Sequence, residues 1–217
     1  MLFERTVLRD AKKRHVTLLL HSTHLYRNLP QILADGRIHT ARELMARYGP
    51  ERAAYYLHDP RRYEQFAVGL DYINAAISVP NAQLLYHRSK AEWGAEWVHL
   101  ALDLELLNRE NTLFSPVSAA AERGKFIAPG RAGFAAMFAE QVAEYERRNL
   151  PAHEPTHPQA EVLIKGPLPL DVVDTVLVPS PAVASEVRRL ISRHPLTLSV
   201  NVAPHLFAWP ARLMSSE

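Results

Sequence analysis

The residues in this sequence that could do chemistry fall into four short stretches. Gln159 and Glu161 stand two apart after Pro158, at the head of the apolar run Val162-Leu163-Ile164. Side chains alternate along a strand, so this spacing places Gln159 and Glu161 on one face and Val162 and Ile164 on the other. A carboxylate entering a strand in this way is either a solvated strand end or a group aimed into a cleft. His21-Ser22-Thr23-His24 follows the apolar run Val16–Leu20. An imidazole and hydroxyls at that point suit hydrogen bonds to a polar ligand lying across a sheet. The alternative makes Thr23 a cap for the next segment and His21 a satisfied core histidine. Arg61-Arg62 offers guanidinium forks that match phosphate oxygens, although the adjacent Asp59 and Glu64 also fit a solvated face. Tyr86, His87, Arg88 and Lys90 combine an aromatic ring with positive charge, a pairing that can stack on and neutralise single-stranded nucleic acid.

Other chemistries lack their signatures. His21, His24 and His39 have no further ligand at a recognised zinc spacing, so no metal is expected. No G-x-S-x-G, G-x-G-x-x-G or phosphate-loop pattern occurs. Asp103 or Asp171 could pair with Glu161 as glycosidase carboxylates, but nothing in the sequence fixes their separation. The chain has no cysteine, which excludes disulfides and thiol nucleophiles. Its 25 basic and 23 acidic residues nearly balance, so global charge demands no polyanionic partner. With 217 residues, 47% of them hydrophobic, one domain with a substantial core is expected over 1–217. The N-terminus lacks the basic-then-apolar order of a signal peptide, and no apolar run is long enough for a membrane span. The expected location is the cytoplasm.

The elements that must position these groups follow from periodicity and punctuation. Residues 1–14 read as a flexible or helical lead-in, and Val16–Leu20 as a buried strand. Asn28, Pro30 and Gly36 supply the start and stop signals of a short helix. A helix over Ala41–Tyr48 gives way to loop at Pro50 and His58-Asp59-Pro60. Strands are predicted over Tyr72–Val79, Trp97–Leu104, Glu161–Ile164, Val172–Val178 and Leu196–Val202. Leu84-Leu85-Tyr86 opens a helix or a short strand. Phe134, Met137, Phe138 and Val142 recur at helical spacing and predict an amphipathic helix over 131–148. A proline-rich loop over 150–158 then presents Gln159 and Glu161, and a last helix spans 182–193. Strands without regular βαβ alternation indicate an α+β fold.

Taken together, several segments resemble the DarT-type DNA ADP-ribosyltransferases, toxins of toxin–antitoxin systems. The resemblance is carried by His21-Ser22-Thr23-His24 with Asn28-Leu29-Pro30-Gln31-Ile32-Leu33 and Gly36, then by Ile77-Ser78-Val79-Pro80-Asn81 with Leu84-Leu85-Tyr86. It continues through Leu150-Pro151, Pro155-Thr156 and Pro158–Leu163 to Asn201 and Leu206-Phe207. It implies an ADP-ribosyltransferase-like split β-sandwich with flanking helices and NAD+ held between two small sheets. By this resemblance His21, Ser22 and Thr23 would hold NAD+, and Glu161 would be the catalytic glutamate. Arg62, with Arg61 as competitor, would supply the family's functional arginine. Residues 149–159 would form the substrate loop, with Gln159 and Tyr86 touching substrate. The implied reaction moves ADP-ribose from NAD+ to guanine or thymine in single-stranded DNA, and the Pro80-Asn81 and Gln159-Ala160-Glu161 segments lie nearer the guanine-modifying branch. An antitoxin that reverses the modification is the implied partner. RNA or protein acceptors, or a silent binding module, are the other readings.

Overall fold

A computed structural model of the chain describes residues 5–57, 66–91 and 96–208. Of the two readings of residues 1–14, the helical one holds over Arg5–Lys13, which form helix α1 with Val7, Leu8 and Ala11 buried. Strand β1 (Leu19–His24) begins later than the apolar run and includes the whole His21–His24 stretch. Helix α2 (Leu29–Asp35) lies where Asn28, Pro30 and Gly36 predict it. Gly36 closes it at φ +65°, a left-handed conformation that glycine adopts without steric cost. After the short strand β2 (Arg37–Ile38), helix α3 runs over Ala41–Leu57. Within it Gly49, at φ +74° and ψ +161°, leaves helical geometry, so the first helical run ends after Tyr48 as expected and a second starts at Pro50, where loop was expected.

With β1, seven further strands build one large sheet. They are β3 (Tyr72–Ile77), β4 (Trp97–Leu102), β5 (Leu113–Ser115), β6 (Ala128–Pro129) and β9 (Glu161–Lys165), with β11 (Val173–Val178) and β12 (Ser199–Val202) near the chain's end. The strand order is β12-β11-β4-β1-β3-β9-β5-β6. Every pairing is antiparallel except β11 with β12. Those two are joined through helix α6 (Pro181–Ile191), which Ser180 caps by accepting from the Val183 amide. Strand β4 is buried along its full length, as expected for a central strand covered on both faces.

Helix α4 (Ala82–Ala91) resolves the Leu84–Tyr86 stretch as helix. The predicted helix over 131–148 is overturned. Helix α5 covers only Gly130–Ala136, and β7 (Gln141–Val142) pairs with β8 (Tyr145–Glu146) as a hairpin. The cause is tertiary. Thr156 donates from its amide to the Met137 carbonyl and from its hydroxyl to that of Ala139, while the Arg147 amide takes that of Glu140. Those carbonyls are consumed by partners beyond the helix, and Ala143 turns at φ +51°. Phe134, Met137, Phe138 and Val142 are buried nonetheless. A last two-residue strand, β10 (Leu168–Pro169), pairs with β2. The architecture is α+β as expected, but in place of a split pair of small sheets the main strands form one eight-stranded sheet.

Candidate active site

Strand β3 serves two neighbours unequally, and that inequality makes the cleft. It pairs with β9 from Tyr72 to Ala75 but with β1 only through Leu19–Ile77 and Leu20–Ala76. Beyond Leu20, β1 stays on β4 through His24 and diverges from β3. The wedge so opened is floored by β3, whose Ile73, Ala75 and Ile77 are buried while Tyr72, Asn74 and Ala76 are half-buried. It holds a cavity of about 170 Å³ that opens to solvent.

His21, Thr23 and Glu161 all line this cleft. His21 Nδ1 lies 2.9 Å from the Asn74 carbonyl oxygen and bridges the wedge. A carbonyl only accepts, so Nδ1 donates, and in the neutral ring Nε2 is an acceptor. Burial lowers the His21 pKa and favours that neutral form, opposing the effect of the Asn74 bond. Glu161 is the first residue of β9, opposite Ser115 of β5 and one beyond the last pair that β9 makes with β3. Its carboxylate is buried, and Oε2 accepts from the Ala119 amide at 2.7 Å. It enters the cleft from the sheet half opposite His21.

Ser22 also lines the cleft, yet its hydroxyl lies 3.0 Å from Nδ1 of His99, its direct partner on β4. His99 is fully buried and stacked on Phe207 at 4.3 Å. Burial drives its pKa down to about 4, so it remains neutral. Sequence reasoning missed His99 as a site residue because it is one polar position in an apolar strand. Asn28 and Asn74 were missed too. Each lines the cleft and buries one amide atom, Asn28 Oδ1 and Asn74 Nδ2, without a hydrogen-bond partner among the described residues. One is an acceptor and the other a donor, an unsatisfied pair that a polar ligand can complete.

At another wall of the cleft stand Gln31 and His39. His39 Nε2 lies 2.8 Å from Asp35 Oδ2, which Arg47 Nη1 also meets at 2.6 Å. Burial pushes the Asp35 carboxyl up, but hydrogen bonds from Gln31, His39 and Arg47 outweigh it and hold the pKa below its usual value.

Two sequence-predicted residues are not brought into the cleft wall. Gln159 sits in a turn before β9, so strand alternation does not govern it; its amide donates to His157 Nδ1 and its side chain reaches Gln83 at 3.4 Å. Tyr86 packs edge-on against His87, with the Lys90 ammonium 4.9 Å over its ring, whereas Arg88 from the same patch does line the cleft. Arg61 and Arg62 lie outside the described residues. Among the described residues no group of three or more His, Asp or Glu could hold a metal ion, and no helix is long and apolar enough to cross a membrane.

The fold has solved counterparts. The fold is similar to Thermus sp. 2.9 DarT in complex with ADP-ribosylated single-stranded DNA, at 19% identity and a TM-score of 0.62 over 89% of this chain and 97% of that one. The same protein in complex with NAD+ gives 17% identity and a TM-score of 0.60 over 88% and 98%. Thermosipho africanus DarTG in complex with ADP-ribose gives 16% and 0.59 over 89% of this chain but 51% of that one. The fold is therefore that of an ADP-ribosyltransferase. The family model described as "ssDNA thymidine ADP-ribosyltransferase, DarT" matches residues 20–208, and the chain belongs to that family. No curated protein matches it.

Proposed function

We propose that this protein transfers ADP-ribose from NAD+ to a base of single-stranded DNA, with Glu161 as the catalytic residue. The observation that carries this reading is Glu161 itself: a buried carboxylate, fixed by the Ala119 amide, in the same cleft as His21 and Thr23. Loss of nicotinamide leaves positive charge on the ribose, which a nearby carboxylate stabilises, as in glycoside cleavage. The carboxylate also serves to orient a ribose hydroxyl or to take the proton lost by the attacking base. His21 and Thr23 hold NAD+ from β1, and Asn28 and Asn74 complete its polar contacts. Ser22 acts from the backbone, its hydroxyl being committed to His99. Arg62 supplies phosphate neutralisation. An unstacked base reaches the carboxylate more easily than a paired one, which favours single strands.

Thymine, the base in the family description, is the first expected acceptor. Guanine is the alternative carried by the Pro80-Asn81 and Gln159-Ala160-Glu161 segments. The protein works in the cytoplasm as a toxin, opposed by an antitoxin that removes the modification, a reading supported by the likeness to a DarTG chain. The test is mass spectrometry of mixed-sequence single-stranded oligonucleotides incubated with the protein and NAD+, with Glu161→Ala alongside. The expected result is a gain of one ADP-ribose, absent with the variant, and fragmentation names the base. Nicotinamide release with unmodified DNA would transfer the activity to RNA or protein acceptors. Neither product would leave a silent binding module.

A further inference from the structure

The loop that delivers Glu161 is held by one guanidinium. Residues 149–159 carry Pro151, Pro155 and Pro158 and form no regular element. Arg147, which follows β8, donates from Nη2 to the carbonyls of Pro151 at 2.9 Å and Ala152 at 3.1 Å. From Nη1 it donates to the Glu154 carbonyl at 2.8 Å and reaches the Thr156 hydroxyl at 3.4 Å. The guanidinium also sits 5.3 Å over the Phe138 ring. One side chain thus gathers three loop carbonyls and one loop hydroxyl around a single planar fork. Lysine cannot reproduce this, because its three donors radiate from one nitrogen rather than from a rigid plane.

The far side of the loop is tied to the rim of the cleft. Ser78, the first residue after β3, donates its hydroxyl to the His153 carbonyl at 2.8 Å, and Gln159 meets Gln83 of α4. Helix α4 contributes Leu84, Leu85 and Arg88 to the cleft wall, and the loop's end is Glu161. The loop therefore forms a rim beside the carboxylate, fastened by Arg147 at Pro151, Ala152 and Glu154 and by Ser78 at His153 between them.

We propose that Arg147 is a positioning residue for the acceptor: it fixes the 149–159 rim so that the incoming DNA strand meets a pre-ordered surface beside Glu161. This rests on the transferase reading above. An ordered rim spares the strand the entropic cost of organising it on binding. In that reading NAD+ is held by His21 and Thr23 of β1, Asn74 of β3 and Asn28, and Glu161 is anchored by its place in β9 and the Ala119 amide; none of these contacts is made by Arg147, so cleavage of NAD+ without acceptor does not depend on it.

The experiment compares wild type, Arg147→Met and Arg147→Lys in three measurements: nicotinamide release without DNA, steady-state transfer to an oligonucleotide that wild type modifies, and amide hydrogen exchange over residues 149–165. Arg147→Met is expected to raise the KM for the oligonucleotide by about tenfold or more while nicotinamide release stays within about twofold of wild type. Exchange at 150–157 is expected to accelerate by about tenfold or more while β9 stays protected. Arg147→Lys is expected to behave like Arg147→Met. An unchanged KM, rescue by lysine, unchanged exchange in the loop, or an equal loss of release and transfer would each overturn the proposal. If wild type modifies no DNA, the function reading fails on its own, and the exchange data still decide whether Arg147 fastens the loop.

Discussion

Replacing Glu161 by glutamine isolates its charge from its place in the fold. The substituted amide keeps an oxygen that accepts from the Ala119 amide, so the 2.7 Å hydrogen bond and the packing at the end of β9 persist. What disappears is a full negative charge in a buried position. Opposite unit charges about 4 Å apart interact with roughly 4 kcal/mol at an effective dielectric near 20. Only the part that grows as positive charge develops on the ribose lowers the barrier, which leaves about 3–4 kcal/mol, or on the order of 10²–10³ in rate. The assay is initial-rate transfer of labelled ADP-ribose to an oligonucleotide at saturating NAD+, with thermal denaturation run beside it. The expected result is a rate reduced by about two to three orders of magnitude, with little change in melting temperature. Retention of more than about a tenth of the wild-type rate would refute the electrostatic role, since that corresponds to less than about 1.4 kcal/mol. A comparable rate loss accompanied by a large fall in melting temperature would refute the claim that charge and fold are separable here.

Two other outcomes follow from the core. His99 has a folded pKa of about 4 and an ordinary value of 6.5, so the unfolded chain binds this proton first. Stability from this group is fully present above about pH 6.5 and is lost as pH falls toward 4, at up to about 1.4 kcal/mol per pH unit; denaturant melts at stepped pH should show a shallower loss in His99→Gln than in wild type. At Gly133, an added Cβ would lie 2.2 Å from the Ala128 carbonyl oxygen. Backbone must therefore move, and Gly133→Ala should cost on the order of 1–3 kcal/mol, seen calorimetrically as a melting temperature several degrees lower.

Local signals were readable in the sequence wherever the answer was local. Asn28, Pro30 and Gly36 mark the ends of α2, and the alternation that sends Glu161 away from Val162 and Ile164 holds within β9. Even there the details are tertiary: Asn28 caps nothing with its side chain and instead donates to the Tyr56 carbonyl. The stretch 131–148 has helical periodicity, but carbonyls claimed by Thr156 and Arg147 convert its second half into a hairpin. Gln159 and Glu161 have strand spacing, but the turn at 157–160 starts the strand only at Glu161. Among the groups that line the cleft, Glu161 was expected at the head of its strand and lies there, whereas His21, expected just past a strand's end, lies inside β1. His99 was not legible, because its meaning depends on Ser22, 77 positions away, and Asn74 was hidden inside an otherwise apolar strand.

The seam between β1 and β3 has a mechanical consequence. Two residue pairs join these strands side by side, with the His21–Asn74 bond and the Ser78 amide to the Leu18 carbonyl at 2.9 Å, whereas five pairs join β1 to β4 and four join β3 to β9. The sheet is thus two stiff plates sharing a narrow weld, and the cleft is the gap beside that weld. A ligand that touches His21 on one plate and Glu161 on the other acts as a clasp across it. Its binding energy is delivered where the sheet is weakest, so occupancy raises the resistance of the whole fold to unfolding by RT ln(1 + [L]/Kd) and, beyond that, stiffens one particular line through the molecule. Substrate in this fold is also a structural member.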